Sequence, residues 1–512
     1  MTNSPVNDFT RAIGAAYDET PYVSVAFPET HPDKLCAMAR LFGLEAPEPA
    51  RARVLELGCG DGGNLLPMAQ HAPDARFLGI DLSRRHVASA QAAISACRLA
   101  NVEIRQQDVL GFSASEGKFD YIIAHGIFSW VPEPVRAQLL AICRDNLSEN
   151  GVAFVSYNTL PGWSMRMALR DMLLFHTQAL PDTQAKVQQA RALTALLVEA
   201  FGTEGGPYGP LLQRELARLS SSRDDFVRHD LLGDVNQPFY FHEFIKLAAS
   251  AGLQYLSGPI LAQMLLTNLP PKVQAALGKV GNDPIILEQY MDFVRNQNFR
   301  RTLLCHTGVR LNRALAPDLL RRFYYTSLIS KPEAGTLNLQ PGVVQEFKVR
   351  DSAASLKNDS PFSKAVLDRL ADMRLARISY PELLENARTR ALPFLIGEAQ
   401  QRRAANDEGA LAQGLSQLYM AGVIDIFADR PQLTLMVTEK PAATPLARYQ
   451  ATQGGTATNR AHRNVPLDAT DRLILSACNG ERDAADIVTL LGALPQETVA
   501  IGLRKLAAAG FF

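Results

Sequence analysis

The chain has 512 residues and carries 52 Lys and Arg against 52 Asp and Glu, so its formal net charge is zero. Hydrophobic residues make up 47% of the sequence, which is ample for several packed cores and excludes a disordered or fibrous chain. The balanced charge leaves no global field to hold nucleic acid, no uninterrupted apolar run is long enough to span a bilayer, and residues 1–9 lack the basic start and apolar stretch of a signal peptide. Six cysteines, Cys36, Cys59, Cys97, Cys143, Cys305 and Cys478, are scattered without a C-x-x-C pair. That pattern predicts reduced thiols in a cytoplasmic protein and no metal site.

Residues 10–45 precede the first predicted strand. They read Y-D-E-T-P-Y at 17–22, then Ser24, Phe27 and T-H-P at 30–32, followed by a helix over 33–42 with Leu35, Met38, Leu41 and Phe42 on one face. Val54, Leu55 and Leu57 form an apolar strand, and Gly58, Gly60 and Gly62 follow at alternate positions before a helical run over 65–70. A strand, a glycine-rich turn and a helix make a nucleotide-cofactor site, with unpaired N–H groups at the helix start. The next strand, 76–80, ends at Asp81, a carboxylate placed to accept ribose hydroxyls. Two cofactor classes fit. Gly58, Gly60 and Gly63 satisfy the dinucleotide pattern G-x-G-x-x-G. Glu56, Gly58, Gly60 and Gly62 satisfy E-x-G-x-G-x-G, which resembles motif I of the class I S-adenosylmethionine (SAM) methyltransferases, and Gly79-Ile80-Asp81-Leu82-Ser83 resembles that family's G-[IV]-D-x-S.

The α/β alternation continues with a helix over 83–99, N-capped by Ser83, and a strand over 102–106 that leads to Asp108 and Val109. A fourth strand over 119–124 runs into His125-Gly126-Ile127-Phe128-Ser129-Trp130. The [DN]-P-P-[YF] common in amino-methylating nucleic-acid enzymes is missing here, which argues against a base methyltransferase. A helix over 134–147 leads to the fifth strand, 152–157, and then to Tyr157-Asn158-Thr159-Leu160-Pro161-Gly162-Trp163 at the strand end that faces the crevice of an open α/β sheet.

Residues 163–232 read as a helical insertion, a lid or a dimerisation element, broken at 202–210. A helix over 240–251, Gly252 and a strand over 253–257 resemble the sixth helix–strand unit of the methyltransferase fold, and 299–306 suits its seventh, antiparallel strand. The catalytic domain is therefore expected to span 1–310. Beyond it, a hairpin at 337–356, helices at 361–376, 380–388 and 408–421, and strands at 423–427 and 432–437 suggest a regulatory, winged-helix-like domain over 311–443. Residues 444–464, rich in Thr, Ala, Gly and Gln, read as a linker. Residues 465–512 hold helices at 471–478, 484–491 and 496–509, a small winged-helix-like module. Neither module shows a dense Lys/Arg helix, so protein contact is expected in place of DNA.

The segments Y-D-E-T-P-Y…T-H-P (17–32), E-L-G-C-G-D-G-G-N (56–64), I-I-A-H-G-I-F-S-W-V-P (122–132), S-Y-N-T-L-P-G-W (156–163), N-Q-P-F-Y-F-H-E-F (236–244) and F-R-R-T-L-L-C-H (299–306) are together similar to one bacterial family. That family couples a class I methyltransferase domain to a methyltransferase regulatory domain and includes the lysine methyltransferases of outer-membrane proteins. The resemblance implies a Rossmann-like seven-stranded sheet, SAM as methyl donor with no metal, and N-methylation of lysine side chains on a protein substrate. It implies cofactor contacts from Glu56, Gly58, Cys59, Gly60, Gly62, Asn64, Asp81, Leu82, Asp108, Val109 and Gly126. Tyr17, Tyr22, Phe27, Trp130 and Trp163 are the expected aromatic wall for a cationic acceptor. Tyr157 and Asn158 are expected to align the amine and His125 to relay its proton. A homodimer through the helical insertion is expected, with neither nucleic acid nor stable membrane insertion. Two other classes stay open: a small-molecule methyltransferase, and a non-catalytic SAM-binding interaction protein.

Overall fold

A near-continuous apolar run makes β1, Arg53–Leu57, a strand that can be buried on both faces, and the catalytic sheet is laid out around it. The computed structural model describes residues 13–15, 17–19, 22, 24–201, 209–332, 337–394 and 406–512. Six further strands complete the sheet: β2 (Arg76–Asp81), β3 (Val102–Gln106), β4 (Phe119–Ala124), β5 (Leu147–Asn158), β6 (Leu253–Ser257) and β7 (Phe299–His306). The order is β3-β2-β1-β4-β5-β7-β6. β1 pairs in parallel with β2 and β4, and β7 runs antiparallel between β5 and β6. Strand order reverses beside β1, where an open α/β sheet leaves its crevice.

Alternation along β1 divides the core. Val54 packs with Tyr121, Ile123 and Phe154 on one face, and Leu55 and Leu57 with Ile122, Ala153 and Val155 on the other. Ser83 caps the helix Arg84–Cys97 through the His86 N–H, as its position before that helix predicts. The insertion folds as helices Ser164–Thr177, Thr183–Phe201 and Gly209–Ser221, joined by the apolar contacts of Leu169, Leu173, Leu212 and Leu216. The break expected at 202–210 falls mostly on 202–208, outside the described residues.

The C-terminal half differs from expectation in three places. The core of Val54 continues through Leu320, Tyr325, Leu367, Leu415 and Ile426, so 311–443 is a layer on the catalytic domain with no separate core. Its sheet is β8 (Tyr324–Ser327) flanked by β11 (Ile378–Ser379) and β12 (Ile424–Phe427), beside the hairpin of β9 (Gln345–Lys348) and β10 (Ser355–Asn358). The expected strand at 432–437 does not form. The Thr434 N–H instead meets the Phe512 carbonyl at 2.7 Å, which draws this segment towards the C-terminus and away from β12. The layer is riveted to helix Pro32–Leu41 by ion pairs Lys34–Asp425 and Asp33–Arg377, the latter stacked 3.6 Å over the Phe427 ring.

Residues 444–464 are not a linker. Thr444 caps helix Pro445–Gln453, and β13 (Thr456–Thr458) pairs with β14 (Asn464–Pro466). The small residues that suggested a flexible segment are buried: Ala447, Ala451 and Ala457 let the helix and hairpin approach the core of helices Ala469–Ala477, Ala484–Leu491 and Gln496–Ala508 closely. Leu446 packs on Cys59, Leu66, Val87 and Ala90, behind the glycine loop.

The tip of that hairpin reaches the loop itself. His462 Nε2 donates to Asn64 Oδ1 at 3.0 Å, and the Asn464 side chain exchanges two hydrogen bonds with the Ala26 backbone at 3.0 and 2.8 Å. His462 is buried with His31 and His71 nearby, and burial pushes His31 down to about 3, His71 to about 4 and His462 well below its ordinary value. These folded-state values lie below the unfolded value of about 6.5. The stability they contribute is therefore complete above pH 6.5 and is lost as pH falls towards the folded values. His462 has a left-handed backbone, φ +55, which Asn tolerates. His462→Asn should leave a folded protein whose loss of stability between pH 6.5 and 4.5 is shallower than wild type by up to about 1.4 kcal/mol per pH unit. Urea unfolding across that range checks it, and parallel curves would contradict a buried neutral His462.

Candidate active site

Three left-handed glycines, Gly58 (φ +72), Gly60 (φ +56) and Gly62 (φ +79), carry the chain from β1 to helix Leu65–His71. The turn is crowded from an unexpected side. A Cβ on Gly60 would lie 2.1 Å from Ser24 Oγ, and one on Gly63 would lie 2.4 Å from the Ser24 carbonyl. The N-terminal arm therefore lies directly on the loop, with the Asp61 N–H donating to Ser24 Oγ at 3.2 Å. Gly62 does not face the crevice. A Cβ there would strike Ile104 and Leu66 at 2.8 Å, so its place among the expected cofactor contacts is withdrawn.

The crevice holds a cavity of about 670 Å³. Glu56, Gly58, Cys59, Gly60 and Asn64 line it from the loop, Asp81 and Leu82 from the end of β2, and Asp108 and Val109 from the end of β3. Gly126, with φ +71 and open space where a Cβ would stand among the described residues, lines it after β4. Asp81 Oδ2 accepts the Gly60 N–H at 2.8 Å, and its Oδ1 accepts the Ser83 N–H at 2.9 Å. Asp108 also caps the turn Val109–Gly111 through the Leu110 N–H. Glu56 Oε1 accepts from Asn64 Nδ2 at 2.8 Å, while Oε2 is buried with no hydrogen-bond partner among the described residues. Burial raises the Glu56 carboxyl to about 8, with Asp81 adding repulsion. A buried carboxyl with an unused oxygen beside a glycine turn, across from the Asp81 carboxylate, fits a ligand that brings an amine and vicinal hydroxyls.

The aromatic expectation is met in position. Tyr17, Tyr22, Phe27, Trp130 and Trp163 all line the same cavity. Trp130 stands edge-on to Trp163 with ring centroids 5.8 Å apart, Tyr17 stacks on His229 at 4.4 Å, and Phe27 lies 4.0 Å from the His125 ring. Asn158 lines the cavity too, with its amide Nδ2 held at 2.9 Å by Asn236 Oδ1.

Tyr157 is not in the cavity. It is fully buried, stacks on Phe244 at 4.0 Å and spends its hydroxyl on Thr302 Oγ1 at 3.1 Å. The cause is the strand pleat: successive side chains of β5 point to opposite faces, so Ser156 and Asn158 face the crevice side and Tyr157 the second core. His125 stays in the cavity wall but loses its relay role. The Gly126 N–H donates to Ser156 Oγ at 2.8 Å, and Ser156 Oγ shares a hydrogen bond with His125 Nδ1 at 3.0 Å. Burial, with the nearby Arg301 adding to it, pushes the imidazole down to about 3, which makes it a poor base near neutral pH.

Sequence reasoning missed His229 and Asp230, which line the cavity from a π-helical turn, Val227–Leu231. The available signal was a polar His-Asp pair inside the apolar run F-V-R-H-D-L-L. Arg301, paired with Glu29 at 2.9 Å, was missed as well. Among the described residues no group of His, Cys, Asp or Glu is placed to hold a metal ion, and no helix is long and apolar enough to cross a membrane.

Two outcomes test this geometry. Asp81→Ala removes two charge-assisted bonds that shape the loop as well as the carboxylate facing the cavity. SAM affinity measured by calorimetry should fall by at least about 100-fold, from ~1.5–3 kcal/mol per charged hydrogen bond. Tyr157→Phe should lose about 1 kcal/mol of stability in urea unfolding and leave turnover unchanged; a large loss of turnover would return Tyr157 to the site.

Comparison with known proteins places this geometry. Residues 54–151 match the family described as "Methyltransferase domain", 223–306 the "Predicted methyltransferase regulatory domain", and 439–502 the "PKMT, C-terminal winged helix domain". The regulatory match thus falls on the elements that complete the sheet, including β6 and β7, and not on 311–443. The structure of PKMT2 from Rickettsia typhi in complex with AdoHcy superposes with a TM-score of 0.84 at 32% identity, covering 96% of this chain and 99% of that one. An uncharacterized protein of Rickettsia prowazekii is 35% identical over 477 residues, 92% of this chain and 84% of its own. A trans-aconitate 2-methyltransferase of Deinococcus radiodurans is 34% identical over 123 residues, only 24% of this chain and 44% of its own. Likeness to the small-molecule enzyme covers 24% of the chain, whereas likeness to PKMT2 covers 96% of it, and the chain belongs to the PKMT family of SAM-dependent protein lysine methyltransferases.

Proposed function

We propose that this protein transfers the methyl group of SAM to lysine side chains of a protein substrate. The observation that carries this reading is one cavity with two chemistries: a glycine loop flanked by Glu56 and Asp81, and an aromatic wall of Tyr17, Tyr22, Trp130 and Trp163. Glu56 with Asn64, the Gly58–Gly60 backbone, Asp81 and the Asp108–Val109 backbone are the groups that would hold SAM, and the AdoHcy complex of PKMT2 supports SAM as the methyl donor. SAM supplies an electrophilic methyl group on a positively charged sulfur.

The chain's own contribution is to desolvate and aim the amine. A free lysine has a pKa of about 10.4, so it reaches the site protonated. The aromatic walls guide the cation in, and exclusion of water together with the positive sulfonium of SAM lowers the pKa of the reacting nitrogen. Trp130 and Trp163 confine the side chain, and Asn158, held by Asn236, offers a fixed amide towards it. Positioning of this kind supplies much of the rate of a displacement that needs nucleophile and leaving group in line.

The free, buried state of all six cysteines supports a cytoplasmic home. The zero net charge supports a partner other than nucleic acid. Exposed Phe175, Leu196 and Leu211 on the insertion support pairing of two copies there. Incubation of a bacterial lysate with isotopically labelled SAM and this protein, followed by mass spectrometry, tests the activity. Label on protein lysines is the expected result; label only on small metabolites would overturn the reading.

A further inference from the structure

The cavity contains a carboxylate, Asp230, that the groups described so far do not use. Asp230 sits on the π-helical turn Val227–Leu231 and lines the cavity. Its carboxylate makes no hydrogen bond or ion pair among the described residues. The turn around it is held firmly. Val227 and Leu231 are buried in the core of the insertion, and the Arg170 guanidinium donates to the Leu231 carbonyl at 3.0 Å and to the Gly233 carbonyl. A π-helical turn inserts a residue into a helix and so aims a side chain that a regular helix would place elsewhere.

Its surroundings suit a cation. Burial raises the phenols of Tyr17 and Tyr22 of the arm, and the Asp230 charge adds to both shifts. The cation that acts on its charge, Arg166, is engaged by Glu215 at 3.0 Å and packs on the Trp163 ring, and Arg228, on the same turn, pairs with Glu19. Asp225, on the turn before, adds a second negative charge. A carboxylate that shares a cavity wall with aromatic rings and makes no ion pair of its own among the described residues suits an ammonium group.

We propose that Asp230 is the counter-ion of the incoming lysine ammonium and the acceptor of its proton. The proposal rests on the lysine reading above. The ammonium first pairs with the carboxylate. One N–H proton then passes to an Asp230 oxygen, and the freed lone pair forms the new nitrogen–methyl bond as the sulfur–methyl bond breaks and its electrons remain on sulfur. The proton leaves Asp230 for water when product departs. Burial raises the Asp230 carboxyl to about 7, with Asp225 adding to the shift and Arg166 opposing it. That value suits a group that both binds a cation and takes a proton near neutrality.

The chain has only two tryptophans, and both line the cavity, so intrinsic fluorescence reports on acceptor binding directly. Purified protein with S-adenosylhomocysteine is titrated with N-acetyl-lysine methylamide. Wild type should respond, Asp230→Asn should bind at least about tenfold more weakly, and the norleucine analogue should bind both alike. Single-turnover lysine labelling should fall by about 100-fold in Asp230→Asn, the scale of a lost general base. It should also lose the rise in rate through neutral pH, and Asp230→Glu should recover part of both. SAM affinity by calorimetry should be unchanged in both variants. Equal peptide binding and an equal pH profile in Asp230→Asn would overturn the proposal, and so would loss of SAM affinity, which would make Asp230 a structural group. Absence of lysine label with wild-type protein would instead overturn the lysine reading itself.

Discussion

One side-chain amide holds three distant parts of this protein together. Asn64 Oδ1 accepts from the Phe27 N–H at 2.9 Å and from His462 Nε2 at 3.0 Å, and its Nδ2 donates to Thr30 Oγ1 at 3.0 Å and Glu56 Oε1 at 2.8 Å. Both lone pairs and both protons of the amide are thereby used, which is the most an asparagine can do. The four partners come from the N-terminal arm, from β1 and from the C-terminal hairpin. Buried polar groups are costly when left unmade, so each partner locks the others into place. The loop that holds the methyl donor is therefore shaped by residues near both ends of the sequence.

The same logic of burial sets the chemistry of the cavity. Low polarity keeps His125 neutral and Glu56 protonated in the unliganded crevice. A ligand carrying positive charge reverses that preference at Glu56 and Asp230, because a nearby opposite charge favours the ionised carboxylate. Donor and acceptor each bring such a charge. The site is thus built to be uncomfortable when empty at its two carboxylates and to relax when both substrates are bound. The side of the cavity that carries Asp230 is fixed in space by the insertion, whose own core of Leu169, Leu173, Leu216 and Leu231 stands apart from the two cores of the sheet.

What could be read from the sequence was local. The alternate glycines, Glu56 ahead of them, Asp81 at the end of β2 and the Ser83 cap all sit within a few residues of the backbone feature they serve. The seventh strand was legible because F-R-R-T-L-L-C-H carries strand residues after a clear helix. Tyr157 was misread although the means to place it were present: neighbours on a pleated strand cannot both face one crevice, and Asn158 already did. The linker was misread because Ala and Thr look flexible by composition, whereas here Ala447 and Ala451 are small so that a helix can sit close. His462 was beyond reach, and Asp230 was marked only as a polar pair with His229 inside an apolar run. The first finds its partner 398 residues earlier in the chain, and the second depends on a π-helical turn that periodicity does not announce.

The paired hydrogen bonds between Ala26 and Asn464 span 438 residues of sequence. Contacts of such separation form late, because the chain between them must be ordered first. On the ribosome, a growing chain that has already laid down β1 through β7 still lacks the hairpin that seats the arm over the glycine loop. Only when residues 462–464 have emerged can the arm and the glycine loop be joined to the hairpin, so the last tenth of the chain to be made completes the contacts around a loop laid down near the start.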